Sequence, residues 1–118
     1  AIVSKSANIG QGTIICPYTI INANATVGEN VSLNVNVSIG HEATVGAHSV
    51  VSPYAALNGN ASIGKQSFIG SRSTLFPSIR VGAFCTVDSH TAVRKSCQDR
   101  MIISERATLS TIKNRFMR

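Results

Sequence analysis

Aliphatic residues recur at every sixth position of this chain. Starting from Val3, each step of six lands on Ile, Val or Leu: Ile9, Ile15, Ile21, Val27, Leu33, Ile39, Val45, Val51, Leu57, Ile63, Ile69, Leu75, Val81, Val87 and Val93. These residue types make up about a quarter of an average chain, so an unbroken register of this length is not chance. The fourth residue after each aliphatic is mostly small or β-branched, as in Ala7, Thr13, Thr19, Ala25, Ala43, Ser49, Ala61, Ser67, Ser73, Cys85 and Cys97. The residue directly after each aliphatic is often Gly or Asn, as in Gly10, Asn22, Gly28, Asn34, Gly40, Gly46 and Gly64, which tolerate the backbone conformations of tight corners.

The small residue and the next aliphatic stand two apart, so both point to one face of a short strand. The residues between an aliphatic and the next small residue turn the chain. Each hexad is therefore a short strand plus a corner. Many such strands stacked in register make an all-β solenoid whose aliphatic column fills the interior. Period alone gives neither the number of hexads per coil nor the hand.

The rhythm ends after Cys97. Arg100-Met101-Ile102-Ile103 reads as a last strand. From Ser104 onward, Leu109, Ile112 and Phe116 recur at helical spacing, with Ser104 or Ser110 as caps. The expected organisation is a β-helix over residues 1–98, then a strand and basic tail over 99–118. That tail is expected to include a short helix covering the open end of the solenoid, which would otherwise expose unpaired strand edges.

At 118 residues, there is no room for a second core domain. Aromatic residues are only 5% of the chain and Trp is absent, which fits narrow, regular packing. No apolar run approaches the ~20 residues of a membrane span, and no secretory signal is visible. The chain starts at Ala1 within the pattern and without Met, which points to a fragment or a processed start. Cys16, Cys85 and Cys97 form no CxxC pair, so reduced cytoplasmic thiols fit better than a disulfide framework or a structural zinc site. The net charge of +6 gathers toward the end of the chain, in Arg94, Lys95, Arg100, Arg106, Lys113, Arg115 and Arg118. This is either a solvated basic end or an attraction for a polyanionic ligand. Without interleaved aromatics or a binding motif, nucleic acid is not the expected partner, and no membrane partner is expected.

The pattern in Ile39-Gly40-His41-Glu42-Ala43-Thr44 and Ile63-Gly64-Lys65-Gln66-Ser67-Phe68 resembles the hexapeptide-repeat acyltransferases. The resemblance implies a left-handed parallel β-helix with three hexads per coil, a hand that departs from the usual right-handed crossover. Residues eighteen apart then stack, so Ala23, His41 and Gly59 share a column, as do Asn24, Glu42 and Asn60, and also Pro53, Ser71 and Ser89.

His41 falls on an outward corner. An isolated histidine there is ordinarily a solvated turn residue. Glu42 beside it can orient the imidazole, and the stacking leaves Gly59 N–H uncovered, as a donor to a developing oxyanion. The stretch Asn34–Gly46, followed by Gly59–Gly70, resembles more closely the sialic-acid O-acetyltransferase and bacterial UDP-4-amino-sugar N-acetyltransferase group. That resemblance implies an acetyltransferase using acetyl-CoA and no metal. It makes His41 the general base, Glu42 its partner, Gly59 the oxyanion donor and Asn34 a further residue lining the site. It implies a homotrimer with acetyl-CoA between neighbouring subunits, touching Gly59, Ser71 and Ser89. Val50 stands where many members carry a second CoA-contacting histidine, so that contact is lost or replaced. The acceptor would be an amine or hydroxyl of a sugar, a nucleotide sugar or a similar small molecule.

Arg72, Arg80, Arg94 and Lys95 are candidates for the CoA phosphates. His41, His48 and His90 lack the spacing of the related γ-class carbonic anhydrases, so zinc is not expected. Two features depart from the group. No N-terminal sugar-binding domain of the usual kind is expected within these 118 residues, and Ser104-Glu105-Arg106-Ala107-Thr108 replaces a Gly-Asn-Pro-Ala-Lys-like stretch near the CoA. The alternative reading is a non-catalytic β-helix, either an assembly module or a degenerate remnant.

Overall fold

Each aliphatic residue of the six-residue register through Val93 closes a two-residue strand. The computed structural model describes residues 1–105, 111, 113 and 114. Its strands are β1 (Ile2–Val3), β2 (Asn8–Ile9), β3 (Ile14–Ile15), β4 (Ile20–Ile21), β5 (Thr26–Val27), β6 (Ser32–Leu33), β7 (Ser38–Ile39), β8 (Thr44–Val45), β9 (Val50–Val51), β10 (Ala56–Leu57), β11 (Ser62–Ile63), β12 (Phe68–Ile69), β13 (Thr74–Leu75), β14 (Arg80–Val81), β15 (Thr86–Val87), β16 (Ala92–Val93) and β17 (Ile102–Ile103). No helix occurs among the described residues, so none there is long and apolar enough to cross a membrane. The helical spacing of Leu109, Ile112 and Phe116 falls outside the described residues.

Every third strand pairs in parallel, which gives a solenoid of three sheets. The first face runs β1-β4-β7-β10-β13-β16, the second β2-β5-β8-β11-β14, and the third β3-β6-β9-β12-β15-β17. Ile2 pairs with Ile20 and Leu57 with Leu75, an offset of eighteen residues. The first corner joins the first face to the second, the second corner joins the second to the third, and the third corner returns to the first.

The aliphatic column is the core. Ile21, Leu33, Ile39, Val51, Leu57, Ile69 and Leu75 are all buried. Removing each such side chain from water contributes on the order of 1.5–3 kcal/mol. The small inward residues complete the lining. Where they are hydroxyl-bearing, they tie one coil to the next. Ser67 Oγ donates to Gly82 O at 3.0 Å and accepts Cys85 N–H at 3.1 Å. Ser73 and Ser49 do the same for Asp88 and Thr91 and for Gly64 and Ser67. No buried side-chain polar atom among the described residues lacks a partner.

Two expectations about the repeat need correction. First, the Gly and Asn residues directly after the aliphatics do not carry the special corner conformation. Positive φ falls two residues later, at Asn24 (59°), Glu42 (59°), Asn60 (62°) and the equivalent position of nearly every corner, where Tyr18, Tyr54 and Phe84 also adopt it. Glycine after the aliphatic is needed for close approach instead. A Cβ on Gly40 would lie 2.7 Å from Gly59 N and 2.8 Å from Leu57 O of the next coil. Second, Cys97 does not occupy the small-residue position. It bridges Val81, an offset of sixteen, and Thr86 pairs with Ile102 at the same offset. The corner after β16 is thus two residues shorter, and Cys97 stands in the aliphatic register. The change is tolerated because cysteine is small and apolar enough for either position.

Candidate active site at the first corner

The turn after β7 projects His41 and Glu42 outward, because their neighbours Ile39 and Ala43 are drawn into the core. Glu42 N–H donates to Ala23 O one coil away, and Asn60 N–H donates to His41 O. These bonds fix the corner backbone on both sides of the histidine.

The imidazole lies directly against Gly59. A Cβ at that glycine would fall on Nε2, Cε1 and Cδ2 of His41. A side chain at position 59 would therefore displace the ring. Gly59 N–H donates to no acceptor among the described residues. On the other edge of the ring, Nδ1 stands 3.8 Å from Glu42 Oε1. Both side chains are substantially exposed, at 62% and 46%, so solvent screens this pair. Asn24 Nδ2 donates to the same Glu42 oxygen at 3.5 Å. Asn24 and Glu42 stand eighteen residues apart in left-handed corner conformations, which sets their side chains side by side. The sequence motif leaves Asn24 out of the site, although the eighteen-residue column sets it next to Glu42.

The remaining candidates lie elsewhere on the coil. Asn34 sits at the third corner, where its Nδ2 donates to Val51 O at 3.0 Å and its carbonyl accepts Thr19 Oγ1 at 2.8 Å. Ser71 and Ser89 share that corner, one half-buried and one exposed, and Val50 lies half-buried on β9 of the adjoining third face. The structure therefore groups His41, Glu42 and Gly59 at one corner and Asn34, Ser71 and Ser89 at another, separated by the first face.

The basic residues are dispersed. Arg72 is at the third corner, its guanidinium 4.3 Å from the centre of the Tyr54 ring. Arg80 lies on β14 of the second face, and Arg94 at the first corner covers Phe76 at 5.0 Å. No group of three or more His, Cys, Asp or Glu among the described residues is arranged to hold a metal.

An uncovered backbone N–H beside an imidazole can support proton abstraction together with oxyanion stabilisation. The sequence of residues 18–53 and 60–92 matches the hexapeptide repeat of succinyl-transferase. Among solved structures, the chain is similar to a point mutant of perosamine N-acetyltransferase from Caulobacter crescentus in complex with CoA and GDP-perosamine. The identity is 26% over 86% of this chain and 48% of that one, with a TM-score of 0.84. It is similar to the acetyltransferase domain of PglB from Neisseria gonorrhoeae in complex with acetyl coenzyme A, at 29% identity over 86% of this chain and 49% of that one, with a TM-score of 0.84. WeeI from Acinetobacter baumannii shares the fold, at 23% identity over 87% of this chain and 51% of that one, with a TM-score of 0.80. The chain spans about half the length of each. No curated protein matches it in sequence.

Proposed function

We propose, on the premise that the chain belongs to the family defined by the hexapeptide repeat of succinyl-transferase, that it transfers an acetyl group from acetyl-CoA to an amine or hydroxyl of a sugar-like acceptor. The observation that carries this reading is the His41 imidazole seated against Gly59, whose N–H has no acceptor among the described residues. The similarity to enzymes solved with CoA, acetyl coenzyme A and a nucleotide sugar supports the donor and the class of acceptor.

In this reading, His41 Nε2 takes the proton from the acceptor nitrogen or oxygen as that atom attacks the thioester carbonyl. Gly59 N–H receives the developing oxyanion. The C–S bond then breaks, and the imidazolium returns its proton to the departing thiolate, so acetylated acceptor and CoA leave with the base restored. Glu42 holds the ring through Nδ1, and Asn24 steadies Glu42. Asn34, Val50, Ser71 and Ser89 would line the donor together with Gly59.

Asn34, Ser71 and Ser89 lie on a different corner from His41 and Gly59, so a site using both sets takes them from two copies. A cyclic homotrimer closes that arrangement, with every copy lending one corner to each neighbour. One experiment tests the reaction and the shared site together. CoA release from acetyl-CoA is measured with a panel of amino-sugar nucleotides for the wild type, His41→Ala, Ser71→Trp, and the two variants unfolded and refolded as a mixture. His41→Ala should lose about 10²–10⁴-fold in rate. Ser71→Trp alone should also be inactive. The mixture should regain about a quarter of wild-type activity, since half of the sites receive an intact His41 and half of those an intact Ser71. A wild type that never releases CoA would remove the enzymatic reading. A mixture that stays inactive while each variant melts like the wild type would remove the shared site.

A further inference from the structure

The shortened last coil has a chemical consequence. With eighteen residues in that coil, position 99 would lie over Val81. With sixteen, Cys97 takes that place and its Sγ comes within 4.0 Å of Cys85 Sγ. Cys85 is buried and Cys97 half-buried, and both pack against the aliphatic core. The end of the coil is also threaded past these sulfurs. Cys85 Sγ donates to Gln98 O at 3.3 Å and accepts Met101 N–H at 3.5 Å. We propose that Cys85 and Cys97 are a modification site, forming a reversible disulfide that ties the last coil to the one before it.

The two sulfurs have different access to solvent. Cys97 lines an open groove of about 470 Å³ along the second face, together with Thr44, Ser62, Arg80, Gly82 and Asp99. A small peroxide reaches Cys97 through this groove, while Cys85 is buried and does not line it. The chemistry is balanced with hydrogen peroxide as the oxidant. The Cys97 thiolate attacks one peroxide oxygen, giving a sulfenic acid and hydroxide. The Cys85 sulfur then displaces the sulfenic hydroxyl, forming the S–S bond. Overall, two thiols and one peroxide become one disulfide and two waters. The 4.0 Å gap must shorten to about 2.05 Å, through side-chain rotation and a small shift of the last coil. A low-molecular-weight thiol reverses the step by exchange.

Burial pushes the Cys97 thiol above its ordinary value, and the nearby Cys85 and Asp99 add to the rise against a lowering hydrogen bond to Gly82. The thiolate is the nucleophile, so its supply at neutral pH is small and grows as pH climbs. Oxidation should therefore be slow at pH 7 and more than roughly tenfold faster at pH 8.5, following the thiolate fraction.

The test is peptide mapping of the whole protein after peroxide treatment, in a Cys16→Ser background that leaves only the two thiols in question. Trypsin separates 81–94, which carries Cys85, from 96–100, which carries Cys97. The expected result is one linked pair of these peptides, two daltons lighter than their sum, restored to separate peptides by dithiothreitol. Amide exchange at Thr86 and Asp88, whose N–H groups bond to Met101 and Ile103 carbonyls, should slow several-fold in the oxidised form. Separate sulfinic acids on Cys85 and Cys97, or disulfides between chains only, would overturn the proposal. So would a linked pair that leaves exchange at Thr86 and Asp88 unchanged, because the bond would then tie nothing. The reading does not depend on any transferase activity.

Discussion

The first and second corners of the solenoid are built from the same hexad, yet only the second turns polar side chains into the interior. At the second corner, Thr13, Ser49 and Ser67 turn hydroxyls inward and bond the backbone of the following coil. At the first corner, the equivalent column is Ala7, Ala25, Ala43 and Ala61, with no inward polar atom, and His41, Glu42 and Asn24 carry the polar groups outside. One corner uses hydroxyls to bind coil to coil. The other has no inward hydroxyl and bonds coil to coil from outside, through Asn22 to Ile39 O and Asn24 to Glu42, beside the backbone bonds. Damage to the first should therefore appear in catalysis and damage to the second in stability.

The sharpest way to break that comparison is Gly59→Ala. Its methyl would occupy the space of the imidazole, while the backbone N–H remains. The rate of CoA release should fall about 10²-fold, the low end of what a positioned base supplies, with melting temperature nearly unchanged. An equal loss of stability would mean that the first corner also holds the fold together.

Ser67→Ala reverses the pattern. It removes the acceptor of Cys85 N–H and the donor to Gly82 O inside the solenoid. Chemical denaturation should show a loss of about 1–3 kcal/mol, with turnover per folded molecule unchanged. A drop in turnover instead would show that the second corner is coupled to the site.

Glu42→Gln should have the smallest effect. The pair with His41 is long, at 3.8 Å, and exposed. Loss of the charge should lower turnover by less than about fivefold, fading further at high salt. A loss near that of His41→Ala would mean that Glu42 does more than orient the ring.

Much of this architecture is legible in the sequence, because one side-chain class recurs with one period. The register from Val3 to Val93 specifies which residues face inward. Stacking by eighteen sets Gly59 over His41 and Asn24 beside Glu42. The two-residue shortening after Val93 is hidden because Cys97 satisfies both the small-residue and the aliphatic pattern. The true left-handed position is hidden for a different reason. Tyr18, Tyr54, Arg72 and Phe84 accept it because the coils on either side hold the turn, so the preference shown by Asn24, Asn30, Asn36 and Asn60 is diluted by residues that do not share it. The grouping of Asn34 with Ser71 and Ser89 rather than with His41 follows from counting corners, but which corners of two chains meet is outside the reach of any single-chain pattern.

The uniform pairing offset also bears on how the chain folds. Most parallel sheets require crossovers of differing lengths, each with its own closure entropy. In this solenoid, a strand finds its partner eighteen residues along, or sixteen at the last coil, so almost every closure carries the same entropic cost. Once two coils have formed, each further coil docks on a finished template at unchanged cost, and assembly proceeds as growth along a line rather than as collapse of a globule.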